Sequence, residues 1–240
     1  MRFDIITIFP EPFEAYFNES ILRRARENKI LDIRIHNLRK YTMDKHHKTD
    51  DRPFGGGPGM VMSIEPLVSA LEKIITPLAP LTLSGARKKG ASLKVRGVGR
   101  VMIILLDAGG KQFDSKMASN FSKKYKHIIF ICGRYEGVDE RIKKIVKAYG
   151  VRLSTISVGP YVLTGGELPA MLIVDAISRH IPGVLGKNES LEEKRYGVGV
   201  PVYTRPEAFV FKGKKYKVPS ALLSGHHKKI EEWRKKNKKP

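Results

Sequence analysis

The sequence predicts an α/β domain on a mainly parallel sheet, followed by a small basic C-terminal module expected to be helical. Short apolar, β-branched runs at residues 3–9, 101–106, 127–132 and 151–156 alternate with segments of helical period. Strands spaced by helices in this way fall into parallel sheets. The 240 residues are 41% hydrophobic, enough to bury a core of one large domain. After residue 186 the chain turns polar and glycine-broken, and then strongly basic. These changes set the expected boundaries: a domain over residues 1–186, a linker over 187–200 and a module over 201–240.

Each element follows from local pattern. Residues 3–9 (FDIITIF) form a strand buried on both faces and closed by Pro10. Phe13, Tyr16, Phe17, Ile21, Leu22 and Ala25 recur at helical spacing, so a helix is expected over 12–28. A second strand covers 30–37, and a glycine-rich stretch follows that suits neither regular element. Residues 65–75 return to helical spacing. Segments 115–124, 139–148 and 169–180 are helices set between or after the core strands. Residues 76–100 are longer than most connections in compact domains and read as an insertion.

Composition narrows the function. Lys+Arg 45 against Asp+Glu 24 gives a net charge of +21, which points to a polyanionic partner, nucleic acid first. A single cysteine, Cys132, excludes an internal disulfide framework and suits a reducing cytoplasm. No apolar stretch approaches the ~20 residues of a membrane span. There is no phosphate-binding G-x-x-x-x-G-K-[ST], no dinucleotide G-x-G-x-x-G and no G-x-S-x-G elbow. The histidines lack zinc-ligand spacing, so no metal is expected. Chemistry is left to carboxylates, arginines and backbone groups.

Three segments can carry it. The loop DDRPFGGGPGM, residues 50–60, sets four glycines beside two carboxylates and an arginine. The segment CGRYEGVDERI, residues 132–142, follows a strong strand and opens a helix, the place where α/β proteins hold ligands. The segment SVGPYVLTGGELPAM, residues 157–171, crowds Gly159, Gly165 and Gly166 before a helix.

With ITIFPEPF, SRHIPGVLG, YTRPE and LLSGHHKKIEEWR, these motifs make the chain resemble the bacterial tRNA (guanine-N1)-methyltransferases of the TrmD type, in the SPOUT class. The resemblance covers most of the chain. It implies a deep trefoil knot, S-adenosyl-L-methionine as methyl donor, an obligate homodimer and methylation of the guanine just 3′ of the tRNA anticodon. It further implies cofactor contacts from Gly133, Tyr135 and Glu136, and from Val158, Gly159, Pro160, Tyr161, Val162, Leu163, Gly165 and Gly166. By the same resemblance Asp50, Gly55 and Gly59 face the guanine, and Arg179 is the catalytic arginine that balances charge on guanine O6.

Several positions depart from the family pattern. The linker base is usually the aspartate of E-D-S-F, whereas this chain reads Glu193, Lys194, Arg195, Tyr196, which puts Lys194 at the base position. Keeping a lysine neutral at pH 7 costs about 4.6 kcal/mol, so Glu193, one position away, is the preferred base. Pro160 and Gly199 each replace a usual aspartate, and DAGG at 107–110 stands where SPQG is common. An active methyltransferase is the expected reading, and a degenerate, non-catalytic RNA-binding relative is the alternative.

Overall fold

The computed structural model describes residues 1–76, 100–186 and 199–238. The chain divides into two units, Met1–Val184 and Leu185–Pro240. The first unit is built on five strands: β1 Arg2–Thr7, β2 Asp32–Asn37, β5 Val101–Gln112, β6 His127–Cys132 and β7 Arg152–Ser157. They lie side by side in the order β2-β1-β6-β5-β7, every neighbouring pair parallel. A two-stranded ribbon, β3 Asp50–Asp51 with β4 Val61–Met62, stands apart from this sheet.

Period-two alternation along the strands divides the core in two. Phe3 and Ile5 of β1 share a cluster with Ile128 and Phe130 of β6 and Met102 and Ile104 of β5. That face is covered by α1 Glu11–Phe17, α2 Ser20–Glu27, α4 Ser115–Lys124 and α6 Glu167–Ser178, through Phe13, Leu22, Ala118 and Ile173. Ile6, Ile103, Ile129 and Ile131 point the other way, onto Leu67 and Leu71 of α3 Ile64–Ile75 and Ile142 and Val146 of α5 Arg141–Ala148. Because helices cover both faces, β6 is buried along its whole length, which is why HIIFIC reads as an unbroken apolar run.

Two expectations are corrected. The helix expected over 12–28 is two helices, with Ser20 at a φ of 46° at the joint. Asn18 ends α1 and Arg26 reaches back from α2, donating to the carbonyl of Phe17 at 3.2 Å and to the Asn18 side chain. The left-handed Ser20 and an arginine that satisfies the orphan carbonyl of Phe17 outweigh the apolar period. The strand expected at 101–106 continues to Gln112, because the ladder to β7 resumes after an irregularity between Leu106 and Lys111. Both of those residues pair with Ile156, so DAGG bulges out of the edge between them. Of the expected insertion at 76–100, residues 77–99 lie outside the described residues.

The second unit contains helices and, in addition, a hairpin that the sequence reading did not anticipate. Strands β8 Ala208–Phe211 and β9 Lys214–Lys217 pair antiparallel, followed by α7 Ser220–Leu223 and α8 His227–Lys236. Tyr203 packs edge-on against Trp233 of α8, ring centroids 6.0 Å apart. Among the described residues no helix is long and apolar enough to cross a membrane.

One polar cluster lies inside the first unit. Asp4 of β1 is fully buried and accepts from Arg2 Nε at 2.6 Å, from His36 Nε2 at 2.6 Å and from His127. Burial pushes its carboxyl up, but the hydrogen bonds from His127, His36 and Arg2 win and hold it well below the usual carboxylate range. A depressed carboxyl stabilises the fold fully above its unfolded pKa near ~3.9, and that share is lost as the pH falls below it. Asp4→Asn is expected to cost about 3 kcal/mol near neutral pH, since it breaks a buried charge pair. Urea melts should show the gap between parent and variant narrowing below about pH 4.

Candidate functional site

A cleft opens at the carboxyl ends of β5, β6 and β7. Its walls come from Leu106, Asp107 and Ala108 at the irregularity within β5, residues 133–137 after β6, Ile156 to Val158 at the end of β7, and the return segment 161–166. The bulge in β5 brings Asp107 into the lining, where its carboxylate accepts from the Gly109 amide at 2.7 Å. DAGG thus has a structural role at the site, which its mismatch with the family pattern did not reveal.

The return segment makes the cleft. From the edge strand β7 the chain passes over the end of β5 to reach β6, where the Gly166 amide donates to the Gly133 carbonyl at 2.9 Å. Arg134 and Gly165 form an antiparallel bridge beside it. A side chain at Gly166 would put its first carbon 2.6 Å from Cys132 Cα, so only glycine lets the two backbones approach so closely. The protein uses the smallness of Gly166 for its own chain crossing.

Glu167 secures the crossing. Only 4% exposed, it accepts from Thr7 Oγ1 of β1 at 2.7 Å and from Arg134 Nε at 3.0 Å. Arg134 also donates to the Thr164 carbonyl at 3.2 Å, and its guanidinium lies 4.6 Å from the Phe9 ring centroid. One carboxylate therefore ties the ends of β1 and β6 to the return segment. Neither Arg134 nor Glu167 was singled out as a site residue in the sequence, although both sit inside the motifs. A lone buried acid four residues from an apolar helix face is a signal that could have found Glu167.

The predicted residues fall into three groups. Gly133, Tyr135, Glu136, Val158, Tyr161, Val162, Leu163, Gly165 and Gly166 all line the cleft. Gly159 is buried beneath the Tyr161 ring and Pro160 is exposed, and neither is among the lining residues. Tyr135 sits at a φ of 58°, a conformation that costs a non-glycine residue about 1–3 kcal/mol. The backbone on either side is fixed, by the Arg134 bridge and by the Glu136 amide, which donates to the Met60 carbonyl at 3.0 Å. Cys132, behind the cleft, is fully buried, and burial pushes its thiol well up, so it is no nucleophile.

The same backbone contacts bring the loop 50–60 to the cleft's mouth. Gly59, at a φ of 85°, lies so close to the Glu136 side chain that an added methyl would collide with it. Asp50 sits in β3 paired with Met62, and Gly55 stands in open space near the fully exposed Phe54. Arg179 is elsewhere. It caps the far end of α6, whose first turn borders the cleft, so roughly 18 Å of helix separates them. Glu193 lies outside the described residues.

Chemically, the cleft joins apolar walls from Ile156, Val158 and Leu163 to the carboxylates of Asp107 and Glu136 and to exposed loop backbone. This defines an α/β protein with a small-molecule-sized cleft at the carboxyl edge of its sheet, the place where open α/β sheets hold ligands. The particular family follows from comparison with known proteins. The family model described as tRNA (Guanine-1)-methyltransferase TrmD matches residues 1–240. A tRNA (guanine-N(1)-)-methyltransferase of Dictyoglomus turgidum is 44% identical over 239 residues, covering 98% of this chain and 84% of the relative. One from Clostridioides difficile is 44% identical over 237 residues, covering 98% of this chain and 90% of the relative. The chain belongs to this family and has its SPOUT-type α/β architecture.

Removing Arg134 would leave the buried Glu167 carboxylate without its cation. Arg134→Ala is expected to cost about 3–5 kcal/mol of stability, and Glu167→Ala added to it should cost much less than the separate losses summed. A double-mutant cycle by denaturant melts checks this; additive losses would separate the two residues.

Proposed function

We propose that this chain is a tRNA methyltransferase that moves a methyl group from S-adenosylmethionine to N1 of the guanine immediately 3′ of the anticodon, in the cytoplasm, as a homodimer. The observation that carries the reading is the cleft itself, in which nine residues of the family's motifs line one cavity at the strand ends. The names borne by the relatives favour a catalytic protein over a non-catalytic RNA-binding one.

The cleft suits the donor. S-adenosylmethionine, when bound, supplies a methyl group on a positively charged sulfur. The carboxylates of Asp107 and Glu136 favour a cation there, and Ile156, Val158 and Leu163 offer apolar contact to a nucleoside. Backbone groups of residues 161–166 read the base edge. The trefoil knot implied by the family falls, in this reading, at the passage of that segment over β5.

The loop 50–60, joined to Glu136, presents Asp50, Gly55 and Gly59 to the guanine. The N1 proton must leave as nitrogen accepts the methyl group, and the linker carboxylate Glu193, one position from Lys194 at the family's base position, takes it. Negative charge then spreads to O6, where an arginine fork stabilises it.

Within one chain Arg179 is too far from the cleft to do this. Leu168, Leu172, Ala176 and Arg179 recur along one side of α6, and Leu168 and Leu172 are 63% and 46% exposed. Two such stripes packed antiparallel across a two-fold axis would bury these leucines and bring the partner's Arg179 to this cleft. The basic 201–240 module supplies further grip on tRNA.

Purified protein with labelled S-adenosylmethionine should methylate unmodified tRNA carrying that guanine, and a guanine-to-adenine transcript should take up no label. Equal labelling of both would discard the substrate. For the dimer, Arg179→Ala alone and a cleft-filling Leu163→Trp alone should each lose at least a hundredfold in turnover. Co-expressed as mixed dimers, they should recover up to half of one parent dimer's activity, since one of two sites is then intact. No recovery would place Arg179 outside a shared site.

A further inference from the structure

The grip on tRNA assigned to the basic module needs a surface, and the hairpin of the second unit offers one. Register pairs Phe209 with Tyr216 and Phe211 with Lys214, so these four side chains share one face. The three rings are 60%, 51% and 54% exposed, taking Phe209, Tyr216 and Phe211 in turn. A two-stranded hairpin is marginal in water without a hydrophobic face packed on something. Here no buried core lies behind either strand: every residue of β9 is exposed, and so are three of four in β8.

The charge around the rings is of one sign. Lys212, Lys214, Lys215 and Lys217 lie in the turn and on β9, with no acid between Ala208 and Lys217. Two of them cover rings: Lys212 Nζ lies 5.6 Å from the Phe211 centroid and Lys214 Nζ 5.6 Å from that of Tyr216. Lys212 and Gly213 take φ of 49° and 76°, the tight turn that suits the twist of the strands. The hairpin thus presents flat rings for stacking, edged by ammonium groups.

We infer that this hairpin is a nucleobase-stacking arm: Phe209, Phe211 and Tyr216 take unstacked bases of an RNA while Lys214 on the same face and Lys212 in the turn hold its phosphates. Charge complementarity selects that occupant. A second copy of a chain carrying +21 would bring like charge to the face, whereas RNA brings a π-face and an anion in every nucleotide. The inference rests on tRNA being the substrate, and it adds a second contact apart from the methyl-transfer cleft.

The test uses the full chain and separates stacking from packing. Phe209→Leu with Tyr216→Leu keeps apolar bulk and removes the rings, whereas Phe209→Tyr keeps a ring. The leucine pair should weaken binding of unmodified tRNA by roughly fivefold or more per ring, about what loss of a base stack costs. The tyrosine variant should bind like the parent. Turnover at saturating tRNA and affinity for S-adenosylmethionine should not change, so a failure here is distinct from a failure of the methyl-transfer reading. Lys212→Ala with Lys214→Ala should flatten the salt dependence of tRNA binding by about two phosphate contacts. Parent-like tRNA affinity in the leucine pair at 0.15 M salt would overturn the inference, as would loss of affinity for vesicles of anionic lipid in place of loss for tRNA.

Discussion

The structure depends on one crossing of backbones, where residues 164–166 lie against the chain leaving β6. An edge strand's loop would ordinarily turn back into solvent. Here it is drawn over a neighbouring strand and fixed by the Gly166 amide on the Gly133 carbonyl. The contact is close enough to exclude any side chain larger than hydrogen at Gly166. Everything at the site inherits its position from it: the cleft is the space left between this returning segment and the strand ends it spans. A buried charge left without its partner is costly, and the buried Glu167 has its partner in the half-buried Arg134, across the crossing itself. The loop 50–60 is then added from the other side through Glu136 and Met60. The cleft and the loop 50–60 are in this way built on one short stretch, residues 133–137.

The regular elements were largely legible. β6 and α4 have the bounds their patterns predict, because a strand buried on both faces and a helix capped by Asp114 each leave a local signature. What was not legible depended on contacts made at a distance. The break between α1 and α2 needs Arg26 to reach back onto Phe17, and nothing in an apolar period records that. The bulge at DAGG exists because β7 resumes pairing after it, so it shows in the sheet and not in the segment alone. The hairpin escaped because its strands are four residues each and one of them is KKYK, a composition poor in strand formers.

The site shows the same division. Nine of the residues expected to contact the cofactor line the cleft together because a motif fixes them as neighbours in sequence, and the crossing keeps them neighbours in space. Gly159 and Pro160 belong to the same motif, yet one lies beneath Tyr161 and the other faces solvent. Motif membership therefore marks the segment that builds a site more reliably than the atoms that face it. Glu167 is the complementary case, a residue that touches no open space and still determines where the lining sits.

The length of α6 imposes a further constraint. One end of this helix borders the cleft and the other carries Arg179, and a helix of this kind neither bends nor shortens to bring its ends together. If Arg179 acts on the reacting guanine, the charge it supplies must come from another copy, and the exposed Leu168 and Leu172 lie between the two ends on the side where that copy would pack. Tyr16 of α1 adds to this: its hydroxyl donates to Asp175, and that bond pushes its pKa up to about 12, so the phenol stays neutral beside the stripe. The apolar contact must outweigh repulsion between two strongly basic chains, which salt screens. A rise in ionic strength should then favour assembly while it weakens the grip on tRNA. Those opposite responses mean that methyl transfer at limiting tRNA passes through a maximum in salt, at the point where the dimer has formed and the phosphate contacts still hold.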